Sequence, residues 1–176
     1  MSVPKLGLVL NPKPEEKEVV ERTLVDELIQ RAIDLKVAKS SDELIVRDII
    51  LMLDFDFTEE TWEKAFTNTG WQVYKSITMP DRKIIGFYGI QLQNNEKIVT
   101  AIRFREGSNI STARTLDIWQ IEWLYAREVP ETYTKAPLIF EPNKTYHIEF
   151  YVKNTGTAKI VLLGKVVEPK GETIHM

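Results

Sequence analysis

The run DIILMLDFDFTEE carries two carboxylates, on Asp54 and Asp56, at the end of an apolar segment, and the hydroxyl of Thr58 follows. Closely spaced carboxylates can attack an electrophile, transfer protons or bind a divalent cation. A calcium-binding EF-hand loop beginning at Asp54 does not fit. Its sixth position is Glu59 where glycine is needed, and its twelfth is Ala65 where glutamate is needed.

The same pattern, an apolar run followed by DxDxT, resembles the nucleophile motif of the haloacid-dehalogenase-like phosphatases. That resemblance implies Asp54 as nucleophile and Asp56 as acid/base in a doubly wound α/β fold, with a downstream lysine and a further acidic pair for magnesium. The later aspartates, Asp81 and Asp117, lie singly, and no βαβ pattern follows. We therefore expect no catalysis by this motif, and predict that Asp56 with Glu59 caps a short helix.

The composition is that of an independently folded globular protein, with 43% hydrophobic and 28% charged residues among 176. No apolar run approaches the roughly 20 residues of a spanning helix, and the first residues make a poor secretory signal. Because cysteine is absent and only two histidines occur, we expect no disulfide, metal or cofactor. The net charge of −3 disfavours a nucleic-acid partner.

Charge is distributed unevenly along the chain. Residues 1–70 contain 15 acidic and 9 basic side chains, whereas residues 71–176 contain 11 acidic and 14 basic ones. Two interpretations remain open. The halves can be independently solvated surfaces, or copies of the protein can attract one another head to tail.

The first 70 residues have a helical pattern. Glycine and proline are absent between Pro14 and Gly70, and apolar residues recur every three or four positions after Pro14. We predict a first helix there and a second through LIVRDIILML, opened by a capping box of Ser40 and Glu43. A short third helix is predicted over residues 58–66.

After Gly70 the apolar pattern changes to a period of two, which indicates strands. Six segments carry it: WQVYKSIT, KIIGFYGIQLQ, KIVTAIRFRE, TLDIWQIEWLY, TYHIEFYVK and KIVLLGKVV, with KLGLVL and PLIF as two further candidates. No helix-length segment lies between them, so the sheets should be antiparallel. We predict an α+β chain: an arm and two or three helices in 1–70, then a β-sandwich or jelly roll with a C-terminal tail in 71–176.

Aromatic residues offer a possible binding surface. Alternation within DIWQIEWLY places Trp119 and Trp123 on one face of a strand. We favour the interior of the sandwich as the explanation for this stripe. The alternative is a carbohydrate-stacking platform, to which Trp71 and Tyr151 would also contribute.

Two arginines form a second candidate site. Arg103 and Arg105 lie on the strand face opposite Ile102 and Phe104, so they can bind a carboxylate or phosphate, or form ion pairs in an interface. The simpler interpretation is solvated charge, neutralised across the sheet by Glu149. The two chain ends, residues 1–13 and the tail VVEPKGETIHM, either run free or dock on a neighbouring copy.

The β half resembles accessory virion proteins of tailed phages and related archaeal viruses. The residues that carry this resemblance are IGFYGIQL, IVTAIRFREGS, LDIWQIEWLY and PLIFEPNKTYHIEFYVKNTGTAKIVLLGKVVEPKG, within residues 71–171. It implies a head-decoration, minor capsid or head-to-tail protein that is assembled in the host cytoplasm and resides in the virion. Its partners would be further copies of itself and a major capsid or other virion protein.

The residues themselves favour the same class of protein. No phosphate-binding loop of the GxxxxGK type, metal-ligand cluster or nucleophile paired with a base is found in the sequence. We therefore expect a non-enzymatic structural protein that acts through subunit contacts. The alternative is a carbohydrate-binding jelly-roll module.

Overall fold

The computed structural model describes residues 7–94 and 96–171, which form a mainly β, antiparallel fold with one long N-terminal helix. Short 3₁₀ turns lie at Ser41–Glu43 and Glu122–Ala126. The helices and strands are α1 (Glu16–Asp34), β1 (Leu44–Asp48), α2 (Leu51–Asp54), β2 (Lys64–Phe66), β3 (Gly70–Thr78), β4 (Ile84–Leu92), β5 (Val99–Glu106), β6 (Arg114–Gln120), β7 (Glu131–Phe140), β8 (Thr145–Val152), β9 (Gly156–Ala158) and β10 (Ile160–Pro169). Neither α-helix of this described part is long and apolar enough to span a membrane.

The first predicted helix is confirmed as α1. Its buried residues Leu24, Leu28 and Ala32 recur at every fourth position, so they form one apolar stripe along the helix. Acidic side chains occupy its first turn and Arg31 its last, which suits the partial charges of the helix ends.

The second and third predicted helices are wrong. Residues 44–48 form β1, because their backbone pairs with that of β10, a strand more than 100 residues away. Only one turn, α2, remains of the predicted second helix, and Ser40 makes no side-chain cap. In place of the third helix, Lys64–Phe66 forms β2, which pairs with β9.

Eight strands form two four-stranded antiparallel sheets. Sheet I has the order β1-β10-β4-β7 and sheet II the order β3-β8-β5-β6, while β2 and β9 form a separate pair. If these eight strands are numbered along the chain from 1 to 8, sheet I reads 1-8-3-6 and sheet II reads 2-7-4-5. Since β1 precedes residue 70 and belongs to sheet I, the domain division at that residue stays a prediction.

The strand predictions hold with three differences. PLIF is the end of the longer β7. Of KLGLVL, residues 5 and 6 lie outside the described part, and Leu8 makes a single bridge to Thr134. The segment TLDIWQIEWLY is only half strand, because β6 ends at Gln120 and the 3₁₀ turn Glu122–Ala126 follows.

The two sheets contribute to one apolar core. The ring of Phe87 on β4 lies 5.9 Å from that of Phe104 on β5 and 5.2 Å from that of Phe140 on β7. Trp119 and Phe150 of sheet II belong to the same buried cluster. The inward faces of sheets I and II are therefore in contact through side chains.

A second apolar cluster lies between α1 and the other face of sheet I. Leu24 and Leu28 pack there with Ile84 and Tyr88 of β4. The helix approaches so closely at Gly86 that a Cβ atom there would be 2.6 Å from a methyl carbon of Leu24. The strand β4 is thus buried on both faces, and α1 and sheet II contact opposite faces of it.

Truncating the α1 stripe should measure the energy of this contact. We expect Leu28→Ala to lower the free energy of unfolding by about 2–5 kcal/mol, because it removes buried methyl groups and leaves a cavity against sheet I. Val19→Ala is the matched control on the same helix. Val19 is 59% exposed, and its truncation should change stability by less than about 0.5 kcal/mol. Urea denaturation of both variants provides the measurement, and equal losses would contradict the packing.

Candidate functional site

The carboxylate of Asp54 is held by four hydrogen bonds. Its side chain is fully buried. It accepts two bonds from the Arg47 guanidinium, at 2.7 and 2.8 Å, one from the backbone N–H of Ile50, at 2.7 Å, and one from Lys83 Nζ, at 3.0 Å. These contacts engage both carboxylate oxygens, which the phosphatase-like pattern would use for attack.

Asp54 belongs to a buried cluster of four charges. Arg47 also donates from Nε to Glu168 at 2.8 Å, and Lys83 Nζ lies 3.9 Å from the same carboxylate. Two cations therefore face two anions, joining β1, α2, the start of β4 and the end of β10. Burial alone would raise the pKa of Asp54, but hydrogen bonds from Arg47, Ile50 and Lys83 outweigh it and hold that pKa below its usual value.

The predicted cap of Asp56 and Glu59 is wrong, because no helix forms after Asp56. Glu60 instead contacts the start of α2. Its carboxylate accepts the backbone N–H groups of Leu51 at 2.7 Å and Met52 at 2.8 Å. Glu60 thus satisfies two free donors at the start of α2.

The outer face of sheet II is not covered by any helix in residues 7–94 and 96–171. Strand register brings outward side chains of all four strands together there, with Trp71 opposite Tyr151, Val73 opposite Glu149, and Arg103 opposite both Glu149 and Ile118. We call this surface the aromatic–arginine face. It comprises Trp71, Val73, Arg103, Arg105, Ile118, Glu149 and Tyr151.

Exposed apolar groups on this face surround an ordered centre. Val73 and Ile118 are each 41% exposed and Tyr151 is 40% exposed. Arg103 donates from Nε and Nη2 to Glu149 at 3.1 and 3.0 Å, and its guanidinium carbon lies 4.2 Å from the ring centre of Trp71. The Trp71 ring in turn meets the Tyr151 ring edge-on, at 5.2 Å. These contacts fix the positions of Arg103 and Trp71 at the centre of the face.

The other candidate arginine also pairs with Glu149. Arg105 donates from Nη1 to Glu149 at 3.3 Å, and from Nε and Nη2 to the carbonyl of Ala113. Glu149 thus contacts both arginines, as the sequence predicts. The buried His147 lies beside them, with its ring nitrogens 2.7 Å from Ser76 Oγ and 2.8 Å from the Gly107 carbonyl oxygen. Arg105 and His147 together hold the loop from β5 to β6 against the sheet.

The two tryptophans of the predicted stripe lie in different places. Trp119 is fully buried, with its ring 4.5 Å from that of Phe104, so it cannot stack on a ligand. Trp123 is half-buried in the 3₁₀ turn and donates its indole N–H to the carbonyl of Gln120 at 2.7 Å. Neither belongs to the aromatic–arginine face.

Asp117 is a buried acceptor whose role the sequence does not reveal. Its carboxylate accepts the Trp119 indole N–H at 3.0 Å, the backbone N–H of Ile118 at 2.8 Å and that of Gly7 at 3.1 Å. From Gly7 the chain continues along β7, where Leu8 bridges to Thr134. The only sequence signal for this role is that Asp117 is a single acidic residue within a strand of alternating pattern.

The described residues contain no group of three or more acidic or histidine side chains that could hold a metal ion. Comparison of the sequence with protein-family models and with curated proteins finds no match.

Removing one charge should test the buried cluster. We expect Asp54→Asn to lower the free energy of unfolding by about 3–5 kcal/mol, because Arg47 and Lys83 would lose a buried anion. Asp56→Asn is the matched control two residues later. Asp56 is exposed and has a φ of 55°, which asparagine tolerates, so a change under about 0.5 kcal/mol is expected.

The wild type and Asp54→Asn should also differ in the pH dependence of their stability. Because the folded pKa of Asp54 is lowered, its contribution is complete above the unfolded carboxyl pKa of about 3.9 and is lost as pH falls through the lower folded pKa. The stability gap between wild type and Asp54→Asn should therefore narrow below about pH 4. Chemical denaturation between neutral and acidic pH would show this, and a gap that stays constant to the lowest pH would count against the ion cluster.

Proposed function

We propose that this protein is a non-enzymatic structural protein that acts in assembly through its aromatic–arginine face, as a component of a virion. Assembly in a host cytoplasm, and partners that include further copies and a shell protein, belong to the same proposal.

The observation that carries the proposal is the unequal covering of the two sheets. Sheet I is covered by α1, whereas sheet II presents partly exposed Val73, Ile118 and Tyr151 around an ordered Arg103. Tryptophan, tyrosine and arginine are the residues that most often dominate binding energy at protein interfaces. A fixed patch of this composition loses little conformational entropy when a partner binds.

The strand order supports the virion setting. We propose that the two sheets form a jelly-roll sandwich, since the orders 1-8-3-6 and 2-7-4-5 are those of jelly-roll sheets. Viral capsid domains and lectin domains both use that fold. A fold does not determine a function, so the virion assignment rests on this order together with the resemblance to accessory virion proteins.

A carbohydrate-binding module is the second candidate, and exposed Tyr151 beside Trp71 is the observation that favours it. We rank it lower because Arg103 lies over the ring of Trp71 and Trp119 is in the core. Glycan-array binding that is lost in Tyr151→Ala, with no self-association of the wild type, would reverse this order.

A charge placed on the face should disrupt assembly. We expect the wild type to self-associate or to co-sediment with a shell protein, and Tyr151→Glu to abolish this without unfolding, because a carboxylate would need to be desolvated within the contact. Val129→Glu is the matched control, since Val129 is 64% exposed and lies outside the face. Analytical ultracentrifugation measures association and circular dichroism confirms folding. Equal behaviour of the two variants would contradict the proposal.

The virion setting has its own test. Mass spectrometry of particles purified from the native source should detect this chain at a fixed copy ratio to the major shell protein. Recovery of the chain only from the particle-free cytosolic fraction would reject the virion assignment.

A further inference from the structure

We infer that the aromatic–arginine face binds the solvent side of α1 in a second copy of this chain, so that copies associate head to tail. This inference rests on the proposed assembly function, and adds to it the identity of the partner surface.

The solvent side of α1 is acidic. Its exposed charged residues are four acids and one base: Glu18, Asp26, Glu27, Asp34 and Arg22. Glu18 and Glu27 pair within the helix with Arg22 and Arg31, but Asp26 has no ion-pair or hydrogen-bond partner among the described residues. The exposed Val19 adds an apolar contact on the same side.

The aromatic–arginine face has the complementary charge. Arg103 and Arg105 outnumber Glu149 there, which leaves one net positive charge. The dimensions also agree. The 19 residues of α1 extend for about 28 Å, and strands of eight or nine residues, such as β8 and β3, extend for about 26–31 Å. A helix can therefore lie along the whole face, with attraction between unlike charges setting its position.

The two surfaces are on opposite sides of one molecule. In β4, Ile85 and Phe87 belong to the core that sheet I shares with sheet II, whereas Ile84 and Tyr88 contact α1. A copy that binds through its face still presents its own α1, and the next copy can bind there. Such a heterologous contact produces a ring or an open chain.

Each single contact should be weak. Four strands spaced about 4.8 Å apart and about 27 Å long give a footprint of roughly 400–500 Å², below the roughly 800 Å² per partner of a standard stable interface. Association should then depend on concentration and on salt, and become strong only where several contacts act together.

Charge substitutions on both surfaces test the pairing. We expect Tyr151→Glu alone, and Asp26→Lys with Glu27→Lys alone, each to weaken self-association by at least about tenfold. All three substitutions in one chain should restore association to within about threefold of wild type, since the new carboxylate at position 151 can pair with the new lysines on α1. A mixture of the two weakened proteins should associate more strongly than either alone, because the unaltered α1 of one attracts the unaltered face of the other and the two altered surfaces also attract each other.

The outcomes separate this inference from the proposed function. Loss of association in Tyr151→Glu, with the α1 variant unchanged and no restoration in the combined variant, would overturn α1 as the partner and leave the face in use. Unchanged association in Tyr151→Glu would overturn both this inference and the proposed function of the face. A wild type that stays monomeric at every concentration would overturn the second-copy contact, and binding of that monomer to a shell protein would then support the proposed function alone. Circular dichroism of each variant excludes unfolding as the cause.

Discussion

The structure depends on the burial of β4 on both of its faces. One set of its side chains packs with rings of sheet II, and the other set packs under α1. A strand that is apolar on both sides must be covered twice, and α1 and the rings of sheet II provide the two covers. Residues 7–94 and 96–171 contain one long helix, α1, and it lies on sheet I. The outer side of sheet II has no such cover from these residues, and Val73, Ile118 and Tyr151 are partly exposed there.

The buried charges explain the sequence that first suggests catalysis. The apolar run before Asp54 brings that carboxylate into the interior, where Arg47 and Lys83 neutralise it. Buried ion pairs add little net stability compared with an apolar replacement, but they penalise any arrangement that separates their members. Since the four charges come from distant parts of the chain, they select the position of β1 beside β10. The sequence motif contains Asp54 but not its partners Arg47 and Lys83, and on its own it resembles a reactive site.

Period-two patterning predicted the strands after residue 70, and α1 followed from its apolar spacing, because both signals are local. Local spacing predicts a helix through LIVRD, because nothing local indicates its strand partner β10, far away in sequence. Likewise, the alternating pattern of TLDIWQIEWLY predicts a strand that continues past Gln120, but the chain turns there. Of the candidate site, the pairing of Glu149 with two arginines followed from residue type and alternation. The stacking of Arg103 on Trp71 could not be predicted, because it needs the order of β3, β8 and β5.

The segment that begins at Gly7 touches the edge strands of both sheets, through Asp117 on β6 and Thr134 on β7. Unpaired strand edges invite pairing with other chains and can nucleate fibrils. With the β7 edge already occupied by its own chain, crowded copies have less opportunity to fuse backbone to backbone there.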